Sequence, residues 1–287
     1  MLRMRYCELR PSPALDAYVR CYWTLEATGA SEPTAQRVLP DGCVEIVINL
    51  GDRFVRHDPS GATERQPRTL LVGPTTRHMT IAPTGAIRLV GIRFRPGGAR
   101  PFLAVEPHEI RDAAPALDDV APMADASLVD RLASTRCGGA SRVLDQTLGA
   151  RLARARRTTD HRMLAAVRAT YAAAHAVRVD TLVASTGLGA RQVERAFRDN
   201  VGFGPKTLCR LVRFQRVVRA LESPDGSTWA RLAAEHGYAD QPHLAREFRE
   251  FAGTTLTTYL RELHPMSDRF HNGPAADEAD LASLAAG

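Results

Sequence analysis

Residues 18–27 (YVRCYWTLEA), 43–50 (CVEIVINL) and 86–94 (AIRLVGIRF) are short, rich in β-branched or aromatic residues, and alternate apolar with polar positions. That period of two predicts strands. Turn formers separate them: Pro40-Asp41-Gly42, Gly51-Asp52, Pro59-Ser60-Gly61, Gly73-Pro74, Pro83-Thr84-Gly85 and Pro96-Gly97-Gly98. Their spacing suits an antiparallel sandwich or barrel, so the chain reads as mainly β up to about residue 105. Past Pro107 the period changes to three and four, through SLVDRLAST (127–135) and SRVLDQTLGARLARAR (141–156), which predicts helices. The polar break RTTD (157–160) offers Asp160 as N-cap of a helix beginning at His161, and residues 161–262 read as helical throughout. From Pro265 onward the chain is small and polar, and a disordered tail is expected.

The helical part contains a repeat. VERAFRDNVG (193–202) and LAREFREFAG (244–253) share their Phe, Arg and Gly positions at a shift of 51. Upstream, Leu182, Ala184 and Gly187 match Leu232, Ala234 and Gly237 at a shift of 50, so the second copy holds one extra turn residue. Each copy has the parts of a helix-turn-helix: a short helix, a glycine able to take positive φ, and a second helix with one apolar face. Leu244, Phe248 and Phe251 line that face at i, i+4 and i+7, with Asp240 as N-cap; Val193 and Phe197 do so in the first copy. Between the copies, residues 205–223 read as one helix starting with Pro at its first turn. At 1.5 Å per residue its length of about 25 to 30 Å would hold the two second helices near one DNA turn apart, about 34 Å.

Composition adds less. The chain has 287 residues, a net charge of +6 and a pI near 9.4, which is compatible with a polyanionic partner. Lys206 is the single lysine, and the abundance of Arg and Ala is that of a compositional bias, so placement must carry the argument. Cys7, Cys21, Cys43, Cys137 and Cys209 are odd in number, scattered and free of C-x-x-C spacing, which predicts reduced thiols. No apolar run approaches a membrane span and the start MLRMRYCELRPSP is not a secretory leader, so a cytoplasmic protein without membrane contact is expected.

On the two copies LVASTGLGARQVERAFRDNVGFGPKTLCRLVRFQRV and LAAEHGYADQPHLAREFREFAGTTLTTYLR, residues 161–262 resemble the double helix-turn-helix domain of AraC/XylS-family transcription regulators. Leu256 departs from that pattern, standing where Pro often follows the glycine. The resemblance implies that the second helix of each copy enters the major groove of double-stranded DNA. It places Arg191, Gln192, Glu194, Arg195 and Arg198, and then Asp240, Gln241, His243 and Arg246, at the DNA. Arg195 and Arg246 have the planar fork that fits guanine O6 and N7, and Gln192 and Gln241 suit adenine. Glu194 is either an acceptor for cytosine N4 or an i, i+4 partner of Arg198. His243 reads first as a helix-surface or phosphate-contacting residue and only second as a base contact.

Residues 4–110 are similar to a β-rich, sensor-like domain that precedes this reader in one AraC-like subgroup. The fold expected is therefore α+β: an N-terminal antiparallel β-sandwich or barrel-like domain, and a C-terminal all-α domain with two helix-turn-helix motifs joined by a long helix. The domains expected are 1–110 for sensing or dimerisation, 111–157 as a helical connector, 158–265 for DNA binding and 266–287 as the tail. RNA polymerase, a small-molecule effector and a second copy of the chain are further candidate partners. No catalytic group, cofactor or metal is expected. LPDGCVE offers Cys43 beside Asp41 and Glu45, but a Pro-Asp-Gly turn feeding a strand is the better reading. His78 stands alone, and RFRPGGARPF (93–102) reads as a turn with solvated arginines. The competing function is a DNA-repair cysteine alkyl acceptor fused to a DNA-binding domain, against which the cysteine spacing speaks.

Overall fold

The computed structural model describes residues 3–28, 35–58, 61–121, 126–135, 137–173, 177–222 and 228–262; the expected tail lies outside them. Nine strands occupy the N-terminal part of the described residues: β1 (Arg3–Leu9), β2 (Val19–Thr28), β3 (Gln36–Val38), β4 (Glu45–Asn49), β5 (Val55–His57), β6 (Thr63–Arg65), β7 (Thr69–Val72), β8 (Met79–Ala82) and β9 (Ile87–Phe94). They form two antiparallel sheets, one ordered β1-β2-β9-β4-β7 and the other β3-β8-β5-β6. Helices follow: α1 (Leu117–Val120), α2 (Ala126–Ser134), α3 (Cys137–Ala153), α4 (His161–Ala172), α5 (Val179–Thr186), α6 (Ala190–Val201), α7 (Pro205–Glu222), α8 (Trp229–Glu235), α9 (Gln241–Ala252) and α10 (Leu256–Glu262). The α+β fold is as the sequence predicts.

The five-stranded sheet is covered on both faces. Cys21, Trp23, Leu25 and Ala27 of β2, with Ile87 and Leu89 of β9, pack with Phe54 and Ile81 toward the four-stranded sheet. The opposite face, carrying Tyr22, Ile46, Ile48, Val90, Ile92 and Phe94, packs under Leu117, Leu128, Leu132, Leu144 and Leu148 of α1 to α3. The alternation expected of CVEIVINL is corrected here: the stretch is nearly continuous in apolar residues because both faces of the sheet are covered. Gly91 sits directly opposite Trp23 in the β2–β9 register. A Cβ there would lie 1.9 Å from Trp23 Cε2, so the central strand needs glycine to admit the indole.

A second expectation is corrected. Arg93, Arg95 and Arg100 are not solvated turn residues: Arg93 is 2% exposed and bonded to Glu45, while Arg95 pairs with Asp16 at 3.0 Å and Arg100 with Glu106 at 3.0 Å. The cause is topological. Arg93 falls on the central strand, where β4 places Glu45 directly opposite, and a buried guanidinium is tolerated only with such a partner.

The helical part has its own core, built from α4 to α10 around Phe197, Phe214, Phe248 and Phe251, and it takes in Leu39 from the sandwich. Asp160 caps α4 as the sequence suggests, accepting from Arg162 N at 2.9 Å. Asp160→Ala is expected to lower stability by about 1 kcal/mol, the ordinary loss on removing an N-cap acceptor, measured as a shifted urea midpoint at unchanged slope; an unshifted midpoint would show the cap to be idle.

Candidate nucleic-acid interface

The first helix-turn-helix is α5, the turn Gly187-Leu188-Gly189 and α6. Gly187 ends α5 at φ +66, the left-handed conformation only glycine takes without cost. Val193 and Phe197 are fully buried on one side of α6. Arg191, Gln192, Glu194, Arg195 and Arg198 are exposed on the other. Two of these are engaged within the protein. Gln192 Oε1 accepts from Gly189 N at 3.1 Å, closing the start of the helix. Glu194 does not pair with Arg198: its carboxylate lies over Gly204, where a Cβ would sit 2.0 Å from Oε1, and Arg198 instead approaches Asp199 at 3.9 Å.

The second motif is α8, a turn through Gly237 at φ +74, and α9. Four steps separate Gly237 from the start of α9, against three from Gly187 to α6, which is the extra residue visible in the repeat. Asp240 caps α9, its Oδ1 accepting from His243 N at 2.6 Å. His243 is half-buried: its ring stands edge-on to Tyr238 at 5.2 Å and its Nδ1 accepts from Ala239 N at 3.4 Å. Gln241 and Arg246 are exposed. Where Leu256 replaces the family's Pro, Thr255 Oγ1 accepts from Thr258 N at 3.1 Å and α10 starts regularly. Arg191, Arg195 and Arg246 form no ion pair or hydrogen bond with other described residues, so their guanidiniums are available to an external acceptor.

Helix α7 joins the motifs; its 18 residues span about 27 Å. Arg213 on α7 grips Glu247 of α9, Nη2 lying 2.8 Å from both carboxylate oxygens, and Arg210 Nε donates to Oε2 at 2.7 Å. Arg213 also reaches the turn of the second motif, with Cζ 4.4 Å from the Tyr238 ring centroid and Nη1 3.3 Å from Gly237 O. Glu247 is 4% exposed. These residues are absent from the site residues expected from sequence, although Glu247 left a signal: with Leu244, Phe248 and Phe251 it completes i, i+3, i+4, i+7, and it is the one charge on that stripe.

In the sandwich, Asp41 Oδ1 accepts from Cys43 N at 2.8 Å, the Pro-Asp-Gly turn expected. Burial raises the Cys43 thiol pKa well above its ordinary value and pushes that of Cys21 up to about 12, so both are protonated at neutral pH and poor nucleophiles. No group of three or more His, Cys, Asp or Glu side chains suited to a metal ion occurs among the described residues. No helix there is long and apolar enough to cross a membrane.

Two exposed, arginine-bearing second helices, held in repeated glycine-turn frames by one long helix, define a helix-turn-helix DNA-binding protein. Residues 182–262 match a helix-turn-helix domain family of the AraC type, and residues 7–115 match a domain family of unknown function. Among solved structures the chain is similar to ToxT from Vibrio cholerae, at 8% identity over 91% of this chain and 98% of that one, with a TM-score of 0.48. It is similar also to unsaturated fatty acid-bound ToxT, at 10% identity over 91% and 95%, with a TM-score of 0.44. No curated protein sequence matches the chain.

Proposed function

We propose that the chain is a sequence-specific transcription regulator in which α6 and α9 enter successive major grooves and the sandwich receives the regulatory signal, from an effector or a second copy of the chain. The observation that carries the reading is that Arg191, Arg195 and Arg246 stand exposed and unpaired among the described residues within the first two turns of two helices whose other faces are buried. Arg195 and Arg246 serve as guanine readers, with Gln192 and Gln241 beside them. Gln192 must then release Gly189 N, or present only its amide NH2. Glu194, lying over Gly204, is a weaker candidate for base contact than the arginines. Asp240 contributes through its cap and His243 through its packing on Tyr238. For the sandwich, the support is its docking: Gln215 Nε2 of α7 donates to Pro40 O and Tyr171 Oη to Asp41 O at 2.9 Å, both in one turn. A domain division near residue 158 is part of the proposal.

Residues 158–265 carry fifteen basic against eleven acidic side chains, a net of +4. Each phosphate neutralised contributes about −0.9 to the log-log dependence of affinity on salt. A slope of roughly −4 to −8 is expected for the full chain on DNA it selects. Arg198→Ala should make it shallower by about one unit and leave base preference intact, since Arg198 lies two turns into α6 and faces backbone. Titration at several salt concentrations tests this; a flat response would exclude DNA as the partner.

A further inference from the structure

One piece of the sandwich touches the ends of both reading helices. The segment Gly73–His78, between β7 and β8, is locked to residues 107–113: Thr76 donates from N and Oγ1 to the two oxygens of Asp112, at 2.6 and 2.8 Å. Asp112 N donates to Pro74 O at 3.2 Å and Gly73 N to Ala113 O at 3.0 Å. Asp112 is the described non-glycine residue with positive φ, +58, a conformation sustained only when surrounding contacts fix it.

This locked body meets α6 and α9 at equivalent places. Gly202 and Gly253, related by the 51-residue repeat, end the two helices in left-handed conformation at φ +96 and +65. A Cβ on Gly202 would lie 2.3 Å from Pro74 Cγ and 3.1 Å from Pro107 O, and one on Gly253 would lie 2.0 Å from His78 Cε1. His78 N also donates to Phe251 O at 2.9 Å, satisfying one of the carbonyls a helix end leaves without an internal partner. His108 Nδ1 stands 3.7 Å from Asp199 near the end of α6.

We propose that segment 73–78, held by Asp112, is a positioning bracket that fixes the separation of α6 and α9, and with it the half-site spacing the full chain accepts on DNA. The proposal rests on the DNA-reading function above. Helix α7, packed in the shared core and paired to Glu247 of α9, is one connection between the motifs. The bracket adds a second connection and closes the frame. Inserting one base pair between half-sites moves the second by about 3.4 Å along the axis and turns it by about 34°. A hinged reader follows that displacement, whereas a closed frame does not.

The test uses the full chain and duplexes enriched by the wild type from a random-sequence pool, each remade with one or two base pairs added or removed between the half-sites. The wild type should lose about tenfold or more in affinity per inserted pair, comparable to a mismatch. Asp112→Gly removes the lock while keeping the backbone unstrained, and His78→Ala empties the contact at Gly253 without touching the lock. Both should lose less than about threefold on the same insertion, with base preference inside each half-site unchanged, a pattern that general loss of stability would not produce. If both variants keep the wild-type spacing penalty, the bracket is overturned and DNA reading stands. If the wild type enriches no sequence at all, DNA reading and bracket fall together.

Discussion

Glu247→Ala should loosen the second reading helix by about 3 kcal/mol, the lower end of the loss on breaking a buried ion pair. The lower end applies because the partners keep alternatives: Arg210 retains Glu250, and Arg213 retains Gly237 O and the Tyr238 ring. Their side chains are also 28% and 18% exposed, so water compensates in part. Glu247→Gln keeps the shape and some of the hydrogen bonds without the charge, and should lose about half as much, since charge-assisted bonds are roughly twice as strong as neutral ones. A single unfolding free energy is ill-defined for a chain with more than one core, so the readout is amide exchange within α9, which reports local opening. A change below about 1 kcal/mol would mean that apolar packing of Leu244, Phe248 and Phe251 alone seats the helix.

The second large effect falls on DNA itself. Arg195→Ala and Arg246→Ala are each expected to weaken binding to the wild type's preferred duplex by about 1 to 3 kcal/mol, the range for a bidentate guanine contact. The two residues lie on different helices and share no partner among the described residues, so the losses should add to within about 0.5 kcal/mol in the double variant. Neither side chain is buried or bonded to another described residue, so stability should stay within about 0.5 kcal/mol of wild type. Full affinity in both variants would remove these arginines from the interface.

The long, strongly periodic elements were legible from the residues. β2, β4 and β9 and the helices from residue 161 onward form where expected, and both motif turns stand where the repeated glycines put them. Strands of three or four residues were not, because QRV, VRH and TER carry too few positions to show a period. β1 lies outside the strands expected, because RMRYCEL alternates only as far as Tyr6, which Cys7 follows as a second apolar residue. Contacts between residues distant in sequence were the least legible. The fates of Arg93 and of Gly253 depend on a strand and a loop roughly 50 and 175 residues away in sequence, and nothing local distinguishes them from a surface arginine and an ordinary helix end. Glu194 shows the same limit at short range: its i, i+4 spacing to Arg198 permits a pair, yet Gly204 leaves the space into which the carboxylate folds.

Selection of bound sequences from a random duplex pool, run in parallel with wild type, Arg195→Ala and Arg246→Ala, tests the central claim most directly. Two base-specific boxes about 10 to 10.5 base pairs apart, centre to centre, are expected, with Arg195→Ala relaxing one and Arg246→Ala relaxing the other. A single box altered alike by both substitutions, or no enrichment by the wild type, would contradict the account of two helices reading successive grooves.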